Sequence, residues 1–429
     1  MPVWFRAYLT APLLTLLPLY FASGLPLALT ASTLAAWFFD AKVDIKAIGF
    51  IAGIGTPYAL KFLWSPFMDE LPFPVLSKRL GRRRGWILAT QLALVAALLT
   101  LAVARPDINP FITGLVAAAV AFLSASQDIV IDAYRVEILS HEDQGRGAAV
   151  AQLGYRLGMI ASGAGALYLA GTLGWQMTYV AMAALMGIGI LALFVAKEAP
   201  YEDTKRAGVT MKAHMRNAVI NPFVDFMKHK SWWLILLFIV IYKFADAFIG
   251  IVTNPFLLQI GFHKEQIAEI VKVYGTIATL FGIFAGGTLV VRYGAVRIMF
   301  IAGLLHAITN LLYSYQAHVG ADSVVLAVSV VVENLSGGVS AAAFVAFLSN
   351  LCNRDYTATQ YALLSSLSAV ARTWLATPAG IAAKYLGWEW FFALAALLAL
   401  PGLLVLWWLQ KRIGYDDAGN INQGIKENL

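Results

Sequence analysis

Long apolar runs separated by short polar joints constrain this chain more than any other feature of its sequence. Of 429 residues, 60% are hydrophobic and only 13% are charged, against about 25% charged in soluble domains. A water-exposed globule of this size lacks the polar cover for so much apolar surface, whereas a bilayer solvates it. A membrane-spanning helix needs about 20 mostly apolar residues. Twelve stretches qualify: 11–37, 47–69, 85–104, 110–134, 147–171, 175–196, 231–257, 266–290, 297–317, 323–351, 361–384 and 388–410. The expected architecture is therefore an all-α polytopic membrane protein with twelve transmembrane helices in two six-helix halves. Residues 1–196 form the first half and 231–410 the second, with a polar, basic linker at 197–230 and a short tail at 411–429. The first stretch is too long for a signal-peptide core and lacks a small-residue cleavage site, so an uncleaved first span is expected.

Orientation follows from lysine and arginine, which concentrate on the cytoplasmic side. With both termini cytoplasmic, most of the 31 basic residues fall on that side. Only Lys42, Lys46, Arg105, Lys264 and Lys384 fall on the other, and Lys61, Arg156, Lys243, Lys272 and Arg372 lie within spans. The net charge of +7 is thus a topology signal and not a nucleic-acid groove. The single Cys352 removes disulfides and cysteine-based metal sites. Six scattered histidines and short loops offer no catalytic constellation, so neither an enzyme nor a cofactor site is expected.

The two halves repeat one another. Arg156 precedes Leu173-Gly174-Trp175, and Arg372 precedes Leu386-Gly387-Trp388 at nearly the same spacing. Asp69 followed by Gly81-Arg82-Arg83-Arg84, and Gly286-Gly287 followed by Arg292-Tyr293-Gly294 and Arg297, resemble the cytoplasmic motif of the major facilitator superfamily. About a dozen residues separate Asp69 from Gly81, a departure from that motif. Carboxylates and guanidiniums at helix ends suit a gate that latches and releases; the arginines also serve topology. Asp69, Arg82, Arg83 and Arg292, with Asp132 and Arg135 at the cytoplasmic mouth of the fourth span, are the candidate gate residues.

A charge at the bilayer centre costs a few kcal/mol, so charges inside spans need a reason. Counted at about 1.5 Å rise per residue, Arg156, Lys243, Asp246, Glu333 and Arg372 fall near the midplane, with Asp128 somewhat closer to the cytoplasm. Asp128 and Asp132 share one helix face. Lys243 and Asp246 are placed to pair within one helix, Asp128 with Arg156, and Glu333 with Arg372. Asp128, Asp246 and Glu333 are the candidates for proton coupling, since a buried carboxylate can take up and release a proton as its surroundings change. His306 reads as a packing residue, and Ser162-Gly163-Ala164-Gly165 and Gly337-Gly338 as close helix contacts. Pro18, Pro26, Pro57 and Pro255 read as kinks.

Several stretches go beyond superfamily level: Phe21-Ala22-Ser23-Gly24-Leu25-Pro26-Leu27-Ala28-Leu29-Thr30, Lys61-Phe62-Leu63-Trp64-Ser65-Pro66, Ser126-Gln127-Asp128-Ile129, Gly154-Tyr155-Arg156, Tyr242-Lys243-Phe244-Ala245-Asp246-Ala247-Phe248, Glu333-Asn334-Leu335-Ser336-Gly337-Gly338 and Ala358-Thr359-Gln360-Tyr361-Ala362-Leu363. In combination, from about residue 10 to 410, they resemble the AmpG family of muropeptide permeases. The resemblance implies a monomeric permease of the bacterial inner membrane. It would import N-acetylglucosaminyl-1,6-anhydro-N-acetylmuramyl peptides with protons for peptidoglycan recycling. Longer members carry two further C-terminal spans, so the expectation here is the twelve-span core. A sugar–peptide cargo with carboxylates calls for cations (Arg156, Lys243, Arg372), amides (Gln127, Asn254, Asn334) and aromatic faces (Trp64, Tyr155, Tyr242). The alternative is the same architecture carrying a siderophore or an amphiphilic drug.

Overall fold

The computed structural model describes residues 7–43, 51–200, 211–229, 231–250, 252–374 and 379–413, and these are mostly helical, with no strand among them. Nine helices among them are long and apolar enough to cross a membrane. The expected spans map onto this set with two kinds of difference, and residues 375–378 of the expected span 361–384 lie outside the described residues. The first is fusion. Gln144–Val195 and Ala379–Lys411 each run past an expected boundary, but the backbone leaves helical geometry inside them at Gly174 (φ 78°, ψ 165°) and Gly387 (φ 74°, ψ 162°). Both glycines sit in the left-handed region that side chains disfavour, in the two Leu-Gly-Trp repeats. The tryptophans that follow them are also used alike. Trp175 Nε1 donates to Asp40 at 3.0 Å, and Trp388 Nε1 donates to Gln259 at 3.0 Å.

The second difference is breakage. The described part of the expected span 47–69 is a series of short pieces, Ile51–Ile54, Thr56–Leu60, a 3-10 turn Lys61–Leu63 and Ser65–Glu70, residues 47–50 lying outside the described residues. Pro57 and Pro66 each stand in the first turn of a piece, where the missing N–H costs nothing but the preceding residue is steered out of the helix. By contrast Ala11–Leu29 runs through both Pro18 and Pro26 and stops just beyond, where Thr30 donates N–H and hydroxyl to the Pro26 carbonyl.

The chain divides into two compact units. One comprises residues 1–140, 150–223 and 352–366; the other comprises 141–149, 224–351 and 367–429. In the first, Leu25, Leu29, Leu34, Phe38, Leu94, Leu98 and Tyr179 form a dry core. In the second, Phe248, Phe256, Tyr313, Leu326, Phe391 and Phe392 do the same.

Each unit contains one very tight helix crossing built on a glycine pair four residues apart. In the first, a Cβ on Gly158 would lie 2.2 Å from the Phe21 carbonyl, and one on Gly24 would lie 2.1 Å from the Tyr155 carbonyl. In the second, a Cβ on Gly282 would lie 2.1 Å from the Leu335 carbonyl, one on Gly286 2.7 Å from Val339, and Gly338 abuts Thr279. Gly337-Gly338 therefore acts as the small-residue contact the sequence suggests, but the 162–165 run does not. It lies in a π-helical turn, Ala161–Gly165, whose Gly163 meets nothing nearer than 4.0 Å. The Gly154–Gly158 pair does that work instead.

Candidate functional site

In the first unit, a ring of charge closes around the start of helix Arg82–Ala102. Arg83 is fully buried, and its Nη2 meets Asp69 at 2.6 Å and Glu137 at 2.5 Å. Arg82 donates to the Asp69 carbonyl and reaches Glu137 at 3.4 Å. Asp69 also accepts from the backbone N–H groups of Ala358 (3.2 Å) and Thr359 (2.8 Å) and from the Thr359 hydroxyl (2.9 Å). Those amides open helix Thr357–Trp374, so Asp69 sits where orphan N–H groups and the helix dipole attract an anion. Glu198 plays the same part at the other helix, accepting from Arg83 N (2.8 Å) and Arg84 N (3.1 Å). Burial pushes the Glu198 carboxyl above the usual carboxylate range, against the two amides that favour its charge.

Deeper in the same unit, Tyr20 joins the two ends of a network. Its hydroxyl donates to Asp132 at 2.7 Å and accepts from Arg135 Nε at 2.9 Å. Lys61 reaches Asp132 at 3.7 Å, and Arg135 lies 5.2 Å over the Tyr361 ring. One turn away, Asp128 accepts from Ser23 Oγ at 2.5 Å. The expected Asp128–Arg156 pair does not form. Arg156 is exposed and has no ion pair among the described residues. The two side chains face different directions, and Asp128 turns toward helix Ala11–Leu29.

In the second unit, Lys243 Nζ pairs with Asp246 Oδ2 at 3.2 Å, as the three-residue spacing suggests. The ammonium also lies 5.4 Å over the Tyr242 ring and 5.2 Å over Phe344, a cation–π setting. The other oxygen, Asp246 Oδ1, faces His306 Nδ1 at 3.5 Å, so His306 belongs to the charged cluster and is not a plain packing residue. Glu333 accepts from Tyr313 Oη at 2.5 Å. The Arg372 side chain, its expected partner, lies outside the described residues.

The remaining expected residues divide by how occupied they are. Tyr242 is buried, bonds to the Met299 carbonyl and Ser340, and stacks on Phe344. Asn334 accepts from Thr279 and donates to the Val330 carbonyl. Trp64 donates to Ser126 and leans on Phe122 at 4.7 Å. Gln127 is fully buried with neither amide atom bonded among the described residues. Tyr155 is half-buried, and Asn254 is exposed. Arg292 is exposed and stacks on Tyr293. The sequence reading missed Tyr20, Ser23, Glu137, Glu198, Tyr313 and Thr359. Glu137 carried a signal as a carboxylate close to Asp132 and Arg135 at the end of a span, and Ser23 and Thr359 lie in stretches that are distinctive in the sequence.

Carboxylates and cations paired inside apolar helices fit a transport pathway. The Major Facilitator Superfamily family model matches residues 16–373. The anhydromuropeptide permease of Escherichia coli K12 is 42% identical over 91% of this chain and 78% of its own length. The chain belongs to the AmpG family of the major facilitator superfamily. A transporter of Rickettsia felis named as putative AmpG 4 is 36% identical over 91% of this chain and 94% of its own. Among solved structures, the proton:xylose symporter XylE matches 94% of this chain and 96% of its own with a TM-score of 0.69 at 13% identity. The human organic anion transporter MFSD10 matches 95% and 100% with a TM-score of 0.67 at 18% identity. These two likenesses show the fold alone. The chain is a multi-pass membrane transporter of this family and not an enzyme.

Proposed function

We propose that this chain imports anhydromuropeptides, N-acetylglucosaminyl-1,6-anhydro-N-acetylmuramyl peptides, from periplasm to cytoplasm, driven by protons, for peptidoglycan recycling. The observation that carries the reading is 42% identity across 91% of the chain with the E. coli anhydromuropeptide permease. The charges inside the spans suit this cargo. A sugar–peptide with several carboxylates needs cations held in apolar surroundings, and Lys243 and Arg156 are available in kind. Asp128, Asp246 and Glu333 supply carboxylates for a proton cycle. In this reading twelve spans in two halves cross the bacterial inner membrane, with both termini and the 197–230 linker cytoplasmic. The ring around Asp69, Arg82, Arg83 and Glu137 is the cytoplasmic gate, with Asp132 and Arg135 beside it and Arg292 its counterpart in the second half.

The test is uptake of radiolabelled anhydromuropeptide into proteoliposomes holding the purified chain. An inwardly directed proton gradient is expected to drive accumulation above the outside concentration. Its collapse by a protonophore is expected to leave only equilibration. Absence of uptake under the gradient, with the protein folded, would refute the cargo.

A further inference from the structure

Three ionisable groups in the second unit share one carboxylate. Asp246 offers Oδ2 to Lys243 at 3.2 Å and Oδ1 to His306 at 3.5 Å. All three side chains are largely enclosed, with relative exposures of 33% for Asp246, 19% for Lys243 and 14% for His306. The imidazole is unequally used. Nδ1 faces the carboxylate, while Nε2 is buried with no hydrogen-bond partner among the described residues. That edge lies against Gly337, where a Cβ would stand 3.5 Å from Nε2. Gly337 stands one turn along the same helix from Glu333.

A neutral imidazole placed this way carries its hydrogen on Nδ1, toward Asp246, and a bare lone pair on Nε2. A proton arriving at Nε2 makes both ring nitrogens donors, with Nδ1–H still facing the Asp246 carboxylate. Charge bookkeeping then decides the consequence. With His306 neutral, Lys243 and Asp246 cancel. With Nε2 protonated, the imidazolium also faces Asp246, and the cluster holds two cations against one carboxylate. In low-dielectric surroundings an unmatched charge is expensive, and the surplus is relieved by one incoming anion.

We propose that His306 is the proton acceptor of the second unit, and that its protonation frees Lys243 from Asp246 to hold a carboxylate of the cargo. Proton and anion then enter together, and the loaded cluster (His306 and Lys243 against Asp246 and the cargo carboxylate) is neutral again. The other ionisable groups near His306 fit this assignment. Glu333, within electrostatic reach of both His306 and Asp246, accepts from Tyr313 and enters the count as its neutral acid, since a carboxylate there would itself offset the imidazolium. Tyr242 is bonded to the Met299 carbonyl and Ser340. On the neighbouring helix Ala379–Ile413, Glu389 pairs with His318 near the far end of the histidine's own helix.

This inference rests on the transport reading for its cargo but not for its proton. Binding of anhydromuropeptide to the purified protein is expected to weaken about tenfold per pH unit above the histidine midpoint, one proton being linked to one ligand. His306→Gln, which keeps a side-chain donor for Asp246, is expected to flatten that dependence. The variant is also expected to lose proton-driven accumulation while retaining exchange of cargo across the membrane. An unchanged pH slope, or undiminished accumulation, would overturn the assignment. A second measurement needs no cargo: ¹⁵N-histidine spectra of the full chain, with the His306 signal assigned by its loss in the variant. One proton is expected to bind to this ring as pH is lowered, at a midpoint that changes in Asp246→Asn. A signal that does not titrate, or a midpoint indifferent to Asp246, refutes the proposal. Lack of binding by wild type at every pH with a normal imidazole titration refutes the cargo alone.

Discussion

Replacing Asp69 by asparagine keeps the shape of the side chain and removes its charge, and the surroundings make that change costly. Four donors converge on a carboxylate that is only 2% exposed: Arg83 Nη2 and Ala358 N on Oδ1, Thr359 N and Oγ1 on Oδ2. An asparagine has one acceptor oxygen and one donor NH2. Whichever way it sits, its NH2 faces two donors. Losing one partner of a buried ion pair costs about 3–5 kcal/mol. Here Glu137 still neutralises Arg83, so about 3 kcal/mol is expected. The damage falls at the first turn of helix Thr357–Trp374. Thermal unfolding in detergent is therefore expected to move down, and the amides of Ala358 and Thr359 are expected to exchange faster with deuterium. The control is Arg105→Gln, which breaks an ion pair with Asp107 whose side chains are 58% and 44% exposed and is expected to change nothing measurable. If Asp69→Asn melts and exchanges like that control, the account of the ring as a buried clasp is wrong.

Further outcomes follow from the same geometry. Glu198 is held above the ordinary carboxylate range by burial, so the folded chain keeps its proton to higher pH than the unfolded chain. Stability from this group then declines as pH rises from the unfolded value through the folded one. Glu198→Gln should remove that slope in pH-dependent melting, whereas Glu198→Ala should cost about 1 kcal/mol through loss of the helix cap. Asp128→Asn, which can still accept from Ser23, should abolish proton-driven accumulation with little change in melting; undiminished accumulation would take the proton role from Asp128. Gly158→Ala would place a methyl 2.2 Å from the Phe21 carbonyl and should destabilise by about 1–3 kcal/mol. Gly114→Ala, with nothing within 4 Å, should melt like wild type.

The sequence by itself determined the solvent, the helical class and the internal repeat, because these depend on composition and on spacing along the chain. Runs of apolar residues demand a bilayer whatever their neighbours, and the two Leu-Gly-Trp corners bend alike because both contain the glycine a positive φ requires. Lys243 and Asp246 also pair as their three-residue spacing dictates, since both lie on one helix. The tertiary structure decided every partnership between helices. Asp128 went to Ser23 instead of Arg156, Asp132 to Tyr20 and Lys61, and Asp69 to amides almost three hundred residues away. Helical rise gives depth from the residue number, but the direction a side chain faces across a bundle is set by which ridges pack into which grooves. His306, expected to be a packing residue, lies beside Asp246 for that reason alone.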